Sequence, residues 1–224
     1  YDDYLYPIGL TKLTMRKQEE PVVKKIIELL RTQGFSDSMG GYIGWIMGEL
    51  VDNSMTHLIH NGFPSDCYLL VQRYKFAHSR SECLIIGVAD VGPGIHATLK
   101  INLKYKDLTD AQAFLTAFKP KVSSWSDGYN RGKGLTDILG IAIGNQSVLK
   151  VKSGNMEFQT DFRTQTTKFG LRTQATRFGR SSTSVNGTLF ALVLIDKNFE
   201  VKNRASVSEF IDRMLVDWRL HNYE

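Results

Sequence analysis

Three polar residues, Glu49, Asn53 and His57, recur at every fourth position in the stretch GELVDNSMTHLIHNG at 48–62. In a helix their side chains fall within an arc of about 80° on one face. An amide oxygen is a hard ligand for Mg²⁺, and a carboxylate can orient a nucleophile or take its proton. The spacing therefore indicates metal and phosphate chemistry, although an ordinary amphipathic helix with polar residues fits the same stretch.

The opposite stripe of this predicted helix is mostly apolar and would face a core. Its members are Ile46, Leu50, Met55, Leu58 and Ile59. An earlier amphipathic helix is predicted to begin at Pro21 and to stop at Gly34. The residues before it, 1–20, have no clear period, and within them Tyr4, Leu5 and Tyr6 are expected to pack as a short arm against the body or a second subunit. The other predicted helices lie at 95–103, 111–118, 136–143 and 206–220, the last opened by a capping box.

The composition is that of one globular domain, expected to span residues 1–224. No apolar run approaches the roughly 18 residues of a membrane span, and the N-terminus has no signal-peptide pattern. We therefore expect a cytoplasmic protein without a membrane partner. Cys67 and Cys83 are too few for a disulfide framework and are expected to be reduced thiols. The formal net charge of +5 allows nucleic acid or an anionic nucleotide as partner.

Strand patterns follow the helix that contains Glu49. The runs 67–76 and 83–89, joined by a polar tip, predict an antiparallel hairpin. Further strands are predicted at 147–152, 156–162 and 187–195, with turns at 153–155 and 186–187. The order of helices, hairpin, helices and strands predicts an α+β fold, a two-layer sandwich in which helices cover one face of a mixed, mainly antiparallel sheet.

Asp90 ends the predicted hairpin and is followed by Gly92, Gly94 and Ile95 in the sequence DVGPGI. Glycines let the backbone approach a ligand closely, while the carboxylate accepts hydrogen bonds from it. The same residues also fit a simple turn.

A second glycine-containing loop precedes the predicted helix at 136–143. It consists of Arg131, Gly132, Lys133, Gly134 and Leu135. Free backbone N–H groups, the helix dipole and two cations together predict an anion site. The pattern is neither a Walker loop nor a Rossmann fingerprint. The preceding segment, 104–130, has no firm pattern and a length typical of a functional lid.

A tandem nine-residue repeat, FRTQTTKFG followed by LRTQATRFG, occupies 162–179. The interval 162–184 has five basic residues and no acidic ones. It is interpreted as a basic hairpin whose arginines and phenylalanines bind RNA, DNA or an acidic partner over 162–180. A long solvated hairpin without a partner explains the same composition.

Together, these motifs resemble the GHKL superfamily of ATPases and kinases. They are E-x-x-x-N-x-x-x-H at 49–57, D-x-G-x-G at 90–94, G-x-G-L at 132–135 and the Gly187-Thr188 pair, within a core of about 46–195. The resemblance implies a Bergerat ATP-binding fold with ATP between the Glu49 helix and a mobile lid. It implies that Asn53 carries Mg²⁺ and that Asp90 binds the adenine amino group. It further implies that Gly92 and Gly94 shape the adenine pocket beside Thr188, while Gly132–Leu135 close over the phosphates.

Within the superfamily the sequence is most similar to anti-sigma-factor serine kinases and the ATP-binding domains of histidine kinases. Glu49 occupies the position of a carboxylate that activates the nucleophile, and His57 resembles the kinase-type motif. Neither a phosphoacceptor helix nor a gyrase-type transducer domain is expected. The resemblance implies a kinase or ATPase that acts with a regulatory protein partner, and it allows a dimer. The alternative is a nucleotide-gated binding module without turnover.

Overall fold

The computed structural model describes residues 8–14, 18–60, 66–75, 82–125, 132–162, 165–167, 170–172, 175–195 and 204–222. The α-helices in this part of the chain are α1 (Glu19–Thr32), α2 (Asp37–His60), α3 (Ile95–Lys100), α4 (Asp110–Thr116), α5 (Gly134–Gly144) and α6 (Arg204–Asn222). The strands are β1 (Ile8–Leu13), β2 (Cys67–Lys75), β3 (Glu82–Asp90), β4 (Val148–Asp161), β5 (Gln165–Thr167), β6 (Gly170–Arg172) and β7 (Ala175–Ile195).

Five strands form one sheet in the order β1-β2-β3-β7-β4. Every pairing among the described strands is antiparallel, so the prediction of a mixed sheet is wrong. Alternate residues of β2, β3, β4 and the second half of β7 are mostly buried, and the register aligns them into rows such as Leu69, Val88, Phe190 and Val151. These rows pack against the helices in one apolar core, which gives the expected α+β arrangement.

Strand β1 was not expected, because residues 1–20 have no strand period. Its backbone pairs with β2 from Ile8↔Val71 to Leu13↔Cys67, and a bulge lies between Ile8 and Thr11. Leu10 is 71% exposed and Leu13 is buried, because residues three apart point to opposite faces of a strand. Residues 8–13 of the N-terminal segment therefore form an edge strand of the sheet, and the expected arm at Tyr4, Leu5 and Tyr6 lies outside the described residues.

The prediction of turns at 153–155 and 186–187 is also wrong. Both lie inside long strands, where the pairing shifts from Ser153↔Thr188 to Gly154↔Val185. Gly154 and Gly187 have φ values of +58° and +105°. Glycines with positive φ are frequent in turns and in bulges, and here they make a bulge that leaves β4 and β7 continuous.

Helices α1 and α2 pack closely because glycines of α2 face α1. A Cβ at Gly44 would lie 3.0 Å from Cδ1 of Ile27, so any side chain there would require the Ile27 side chain to shift by a few tenths of an ångström. Glycine has a low helix propensity, so these residues do not indicate a helix from the sequence. The helix nevertheless begins at Asp37, before them. The apolar stripe predicted for it is confirmed where described, since Ile46, Leu50 and Met55 are buried.

The remaining helices follow the predictions closely. Helix α4 lies inside the expected lid segment and begins with a capping box between Thr109 and Gln112. Helix α5 starts at Gly134, two positions before the expected start at Thr136. In α6, Val207, Phe210 and Ile211 are buried, and the Phe210 ring contacts those of Phe158 and Phe162.

The far end of the β4–β7 pair carries the tandem repeat. Here β5 and β6 pair antiparallel from Gln165↔Arg172 to Thr167↔Gly170, as a hairpin over 162–184 predicts. Residues 163–164, 168–169 and 173–174 lie outside the described part of the chain. Among the described helices, none has the length and apolar character needed to span a membrane.

Candidate functional site

A cavity of about 600 Å³ lies between α2, the β3–α3 loop, the segment after α4 and the start of α5. This volume is typical of small-molecule sites. The residues predicted for a nucleotide site that line it are Glu49, Asn53, Asp90, Gly92, Gly94, Ile95, Gly132, Lys133, Gly134, Leu135 and Thr188. The side chain of His57 and all of Arg131 lie outside the described residues. The structure thus brings four separate sequence motifs to one cavity.

Helix α2 supplies one wall of this cavity. Glu49 and Asn53 line it together, as their spacing predicts, because the adjacent stripe of α2 is held in the core. Trp45, one turn before Glu49, lines the same cavity and is 36% exposed. Sequence reasoning did not include Trp45, although its i–4 spacing from Glu49 was the available signal.

The carboxylate of Asp90 is held by three hydrogen bonds at the end of β3. Oδ1 accepts from the backbone N–H of Gly92 at 3.0 Å and of Thr188 at 3.1 Å, and Oδ2 accepts from Ser54 Oγ at 3.0 Å. Burial raises the pKa of this carboxyl group above its usual value, and the three donors partly offset that effect. The carboxylate is therefore fixed in orientation, and Oδ2 keeps lone-pair capacity for another donor.

Ser54 was missed by sequence reasoning. It directly follows Asn53 on α2 and lines the cavity, and it reaches Asp90 from a distance of 36 positions in the chain. The position of Ser54 next to Asn53 was only weak evidence for a role in the site, because a serine on an amphipathic helix usually faces solvent. The contact depends on how α2 packs on β3, which local spacing does not determine.

Two glycines, Gly94 of the loop after β3 and Gly187 of the bulge in β7, lie close together behind Asp90. Gly94 has φ +85°, and a Cβ there would lie 2.7 Å from Ser153 Oγ. A Cβ at Gly187 would overlap the backbone carbonyl of Asp90. Ser153 Oγ also accepts a 2.7 Å hydrogen bond from the Ile95 N–H. The loop after β3 and the β4–β7 bulge are thus locked together behind Asp90.

The opposite end of the cavity is the first turn of α5. Gly132 has φ +76°, and its carbonyl accepts a 2.9 Å hydrogen bond from the Lys121 N–H. A Cβ at Gly134 would overlap Oε2 of Glu49, so the Glu49 carboxylate lies directly against this turn. The first N–H groups of a helix have no intrahelical acceptor and favour negative charge. This end therefore suits a phosphate group.

Glu49 lies in an acidic environment. Burial raises the pKa of its carboxyl group, and the nearby charges of Asp52 and Asp137 raise it further. A carboxylate with a raised pKa is a stronger base than an exposed one, which suits it to accept a proton. Asp52 and Asp137 also line the cavity and were not predicted.

The described residues contain no group of three or more His, Cys, Asp or Glu side chains arranged to hold a metal ion. Asn53 lines the cavity and its amide group carries one oxygen. Mg²⁺ commonly keeps few protein ligands and takes the others from phosphates and water. The donor set at Asn53 fits an ion of this kind brought by a nucleotide, and it does not fit a metal held by the protein alone.

The segment after α4 closes one side of the cavity through Val122, Ser123, Ser124 and Trp125. Asn102 holds it, since its Nδ2 donates to the carbonyls of Ser123 at 3.1 Å and Trp125 at 3.4 Å. Thr136 Oγ1 donates to the Phe118 carbonyl at 2.9 Å. Hydrogen bonds from Asn102 and Thr136 therefore hold the expected lid at residues 118–125, and 126–130 lie outside the described part of the chain.

No protein-family model matches this sequence, and a comparison with curated proteins finds no significant match.

Proposed function

We propose that this chain binds ATP with Mg²⁺ in the cavity and acts as a GHKL-type kinase or ATPase with a Bergerat ATP-binding fold. The main support for the proposal is that one cavity contains both a fixed hydrogen-bond acceptor and a group of phosphate-type donors. At one end the Asp90 carboxylate is oriented by three donors. At the other end Glu49 and Asn53 face the glycine-rich start of α5.

Asp90 is assigned to the adenine ring. A carboxylate only accepts hydrogen bonds, so it pairs with the amino group of adenine and meets the carbonyl of guanine acceptor to acceptor. Gly92, Gly94 and Thr188 shape this end, and Leu50 and Phe190 add apolar lining. ATP is therefore the preferred nucleotide.

The start of α5 is assigned to the phosphates. Lys133, Gly134 and Leu135 line the cavity at this turn, where backbone N–H groups and a cation attract anions. Asn53 would ligate Mg²⁺ through its amide oxygen. The bound nucleotide and metal supply an activated phosphoryl group.

Glu49 is assigned the role of general base. Its carboxylate lies beside the phosphate end and is half-buried, with a raised pKa. In this position it accepts the proton of an attacking water or hydroxyl group while the γ-phosphoryl group is transferred. A hydroxyl acceptor on a regulatory protein partner gives a kinase, and water gives an ATPase.

Isothermal titration calorimetry with ATP, GTP and a non-hydrolysable ATP analogue, each with Mg²⁺ or with EDTA, tests nucleotide binding. Asn53→Ala is expected to weaken Mg²⁺-dependent ATP binding much more than metal-free binding, and Gln72→Ala on the sheet is the control. Release of radiolabelled phosphate then measures turnover. Absence of heat from folded protein at millimolar ATP would reject the proposal, and binding without turnover would leave a nucleotide-gated binding module.

A further inference from the structure

His96 is a titratable residue that lies behind the Asp90 loop and has no role in the proposed reaction. It is the second residue of α3 and is half-buried. Its imidazole packs on Gly154 in the bulge of β4, since a Cβ built at Gly154 would lie 2.5 Å from Cε1 of the ring and 3.6 Å from Nδ1. The ring therefore fills the space that the missing side chain leaves.

This contact lies beside the hydrogen bonds that support Asp90. His96 directly follows Ile95, and the glycine on which its ring packs directly follows Ser153. The Ile95 N–H donates to Ser153 Oγ at 2.7 Å, and Ser153 Oγ hydrogen-bonds Thr188 Oγ1 at 3.1 Å. The Thr188 N–H in turn donates to Asp90 Oδ1. We call these contacts the α3–β4 junction.

The surroundings of His96 favour a neutral ring. Its Nδ1 atom is buried and has no hydrogen-bond partner among the described residues, and the same is true of Asn155 Oδ1, so these two atoms do not bond to each other. Burial is the main cause that lowers the pKa of the imidazole below its usual 6.5. The charge of Asp110 on α4 raises this pKa, and that of Lys100 on α3 lowers it. Gly154, the contact from β4, has no charge.

We propose that His96 is a positioning residue and a pH-sensitive latch: the neutral ring on Gly154 holds the α3–β4 junction closed behind Asp90, and protonation of the ring opens it. Both nitrogens of the charged ring carry a proton, so Nδ1–H becomes a buried donor without an acceptor. Moving the ring into water removes this cost and breaks its contact with β4. The bond between Ile95 and Ser153 then loses its neighbour, and the support of Asp90 weakens. Only the resulting loss of nucleotide affinity rests on the proposed function.

NMR of the wild-type protein without nucleotide is the first test, because it follows the ring and the junction together. As the His96 ring titrates, the amide signals of Ile95 and Gly154 are expected to change with the same midpoint, below 6.5. The Thr188 amide is not a suitable reporter, since it also senses Asp90. Titration of the ring without a change in the two amides overturns the proposal.

Urea unfolding across about pH 5 to pH 8 tests the direction of the effect. A lowered pKa means that the folded state binds the proton less tightly than the unfolded state, so the contribution of neutral His96 is lost as pH falls below 6.5. His96→Gln cannot take this proton, and wild type should therefore lose stability relative to it on acidification. A constant difference overturns the proposal. So does a relative gain by wild type, which would mean that the charged ring bonds Asn155.

Two charge variants test the electrostatic cause. Asp110→Asn removes the charge that favours protonation and should move the midpoint of the His96 titration to lower pH, whereas Lys100→Gln should move it to higher pH. Asp110 and Lys100 also pair with each other at 3.2 Å, so loss of that ion pair alone would affect both variants alike. Shifts in the same direction, or no shifts, overturn the proposal.

ATP affinity in calorimetry tests the link to Asp90. Between about pH 7.5 and pH 5.5, wild type is expected to lose roughly tenfold in affinity relative to His96→Gln, since one pKa unit corresponds to a factor of ten. Titration of the nucleotide phosphates is common to both proteins and cancels in this ratio. His96→Lys, which is charged at every pH used, should bind ATP weakly throughout.

Lys24→Gln is the control for a change of surface charge, because Lys24 pairs with Glu20 on α1 and does not line the cavity. It should keep the pH dependence of wild type, and circular dichroism verifies the fold of every variant. A ratio of ATP affinities that does not change with pH overturns the link to Asp90. Absence of ATP binding at every pH rejects the proposed function instead, and NMR and unfolding then decide the latch by themselves.

Discussion

The backbone N–H of Thr188 donates a 3.1 Å hydrogen bond to Oδ1 of Asp90, across 98 positions of the chain. This bond fixes the carboxylate from the neighbouring strand β7, while Gly92 fixes it from its own loop. The orientation of Asp90 therefore depends on the sheet pairing and not on the local turn alone. If DVGPGI were only a simple turn, the hydrogen bond from Gly92 to Asp90 would be enough to hold it.

Asp90→Ala is expected to abolish most ATP binding without improving GTP binding, because the acceptor for the adenine amino group is removed. Asp90→Asn can donate as well as accept, so it should weaken ATP and narrow the gap to GTP. Leaving a buried polar group unpaired costs about 1–3 kcal/mol, or roughly tenfold to a hundredfold in affinity. Nucleotide titrations with circular dichroism measure this. Wild-type ATP affinity in folded Asp90→Ala would remove Asp90 from the adenine site.

Ser54→Ala is expected to lower ATP affinity, because Asp90 Oδ2 loses the donor that orients it at 3.0 Å. Hydrogen bonds to charged groups contribute about 1.5–3 kcal/mol, so the free energy of unfolding should fall by a similar or smaller amount. Thr32→Ala is the control, since its hydroxyl donates to the Leu29 carbonyl on α1 and Thr32 does not line the cavity. If both variants bind ATP equally well, Ser54 has no role in orienting Asp90.

Gly134→Ala is expected to lower turnover by roughly tenfold to a hundredfold, because its methyl group displaces the Glu49 carboxylate from the phosphate end. ATP binding should fall less than turnover. Gly41→Ala is the matched control: Gly41 is helical, and its Cβ meets nothing within 4 Å. That change should stabilise α2 by about 1 kcal/mol and leave turnover unchanged. Steady-state phosphate release and urea unfolding separate the two effects.

The raised pKa of Glu49 predicts a specific pH dependence of stability. The folded state binds this proton more tightly than the unfolded state, so Glu49 lowers the free energy of unfolding as pH rises above its ordinary pKa of 4.5. Glu49→Gln removes this loss. The stability of Glu49→Gln relative to wild type should therefore increase between about pH 4 and pH 7 in urea unfolding. A constant difference across that range would contradict the raised pKa.

Local periodicity was sufficient to predict much of α2 and its two faces. Glu49 and Asn53 share the cavity because residues four apart lie on one side of a helix. Leu50 and Met55 are buried as predicted, and Ile46 is also buried although its helical angle falls within the arc from Glu49 to His57. The hairpin of β2 and β3 was predictable from two strand-like apolar runs joined by a polar tip. The α+β arrangement followed from the order of these elements.

Long-range pairings were not predictable from the same patterns. Ser54 and Ser153 reach the Asp90 loop through helix packing and through the bulge in β4, and neither leaves a periodic signal. Gly187 suggested a turn because positive φ is common to turns and bulges. The pairing of β1 with β2 lay in a segment whose bulge hides its alternation.

The position of β7 between β3 and β4 has a consequence for biosynthesis. At about 5–20 residues per second, roughly 5–20 s of translation separate Asp90 from Thr188, the residue that completes its support. During this interval β3 has no neighbour on one side, and its apolar strand is open to association with other nascent chains. Closure of such a distant contact is slow and comes late in folding. Chains released before β7 is made will lack an assembled Asp90 pocket, so ligand-dependent rescue of folding is expected only for chains that extend beyond the last sheet strand.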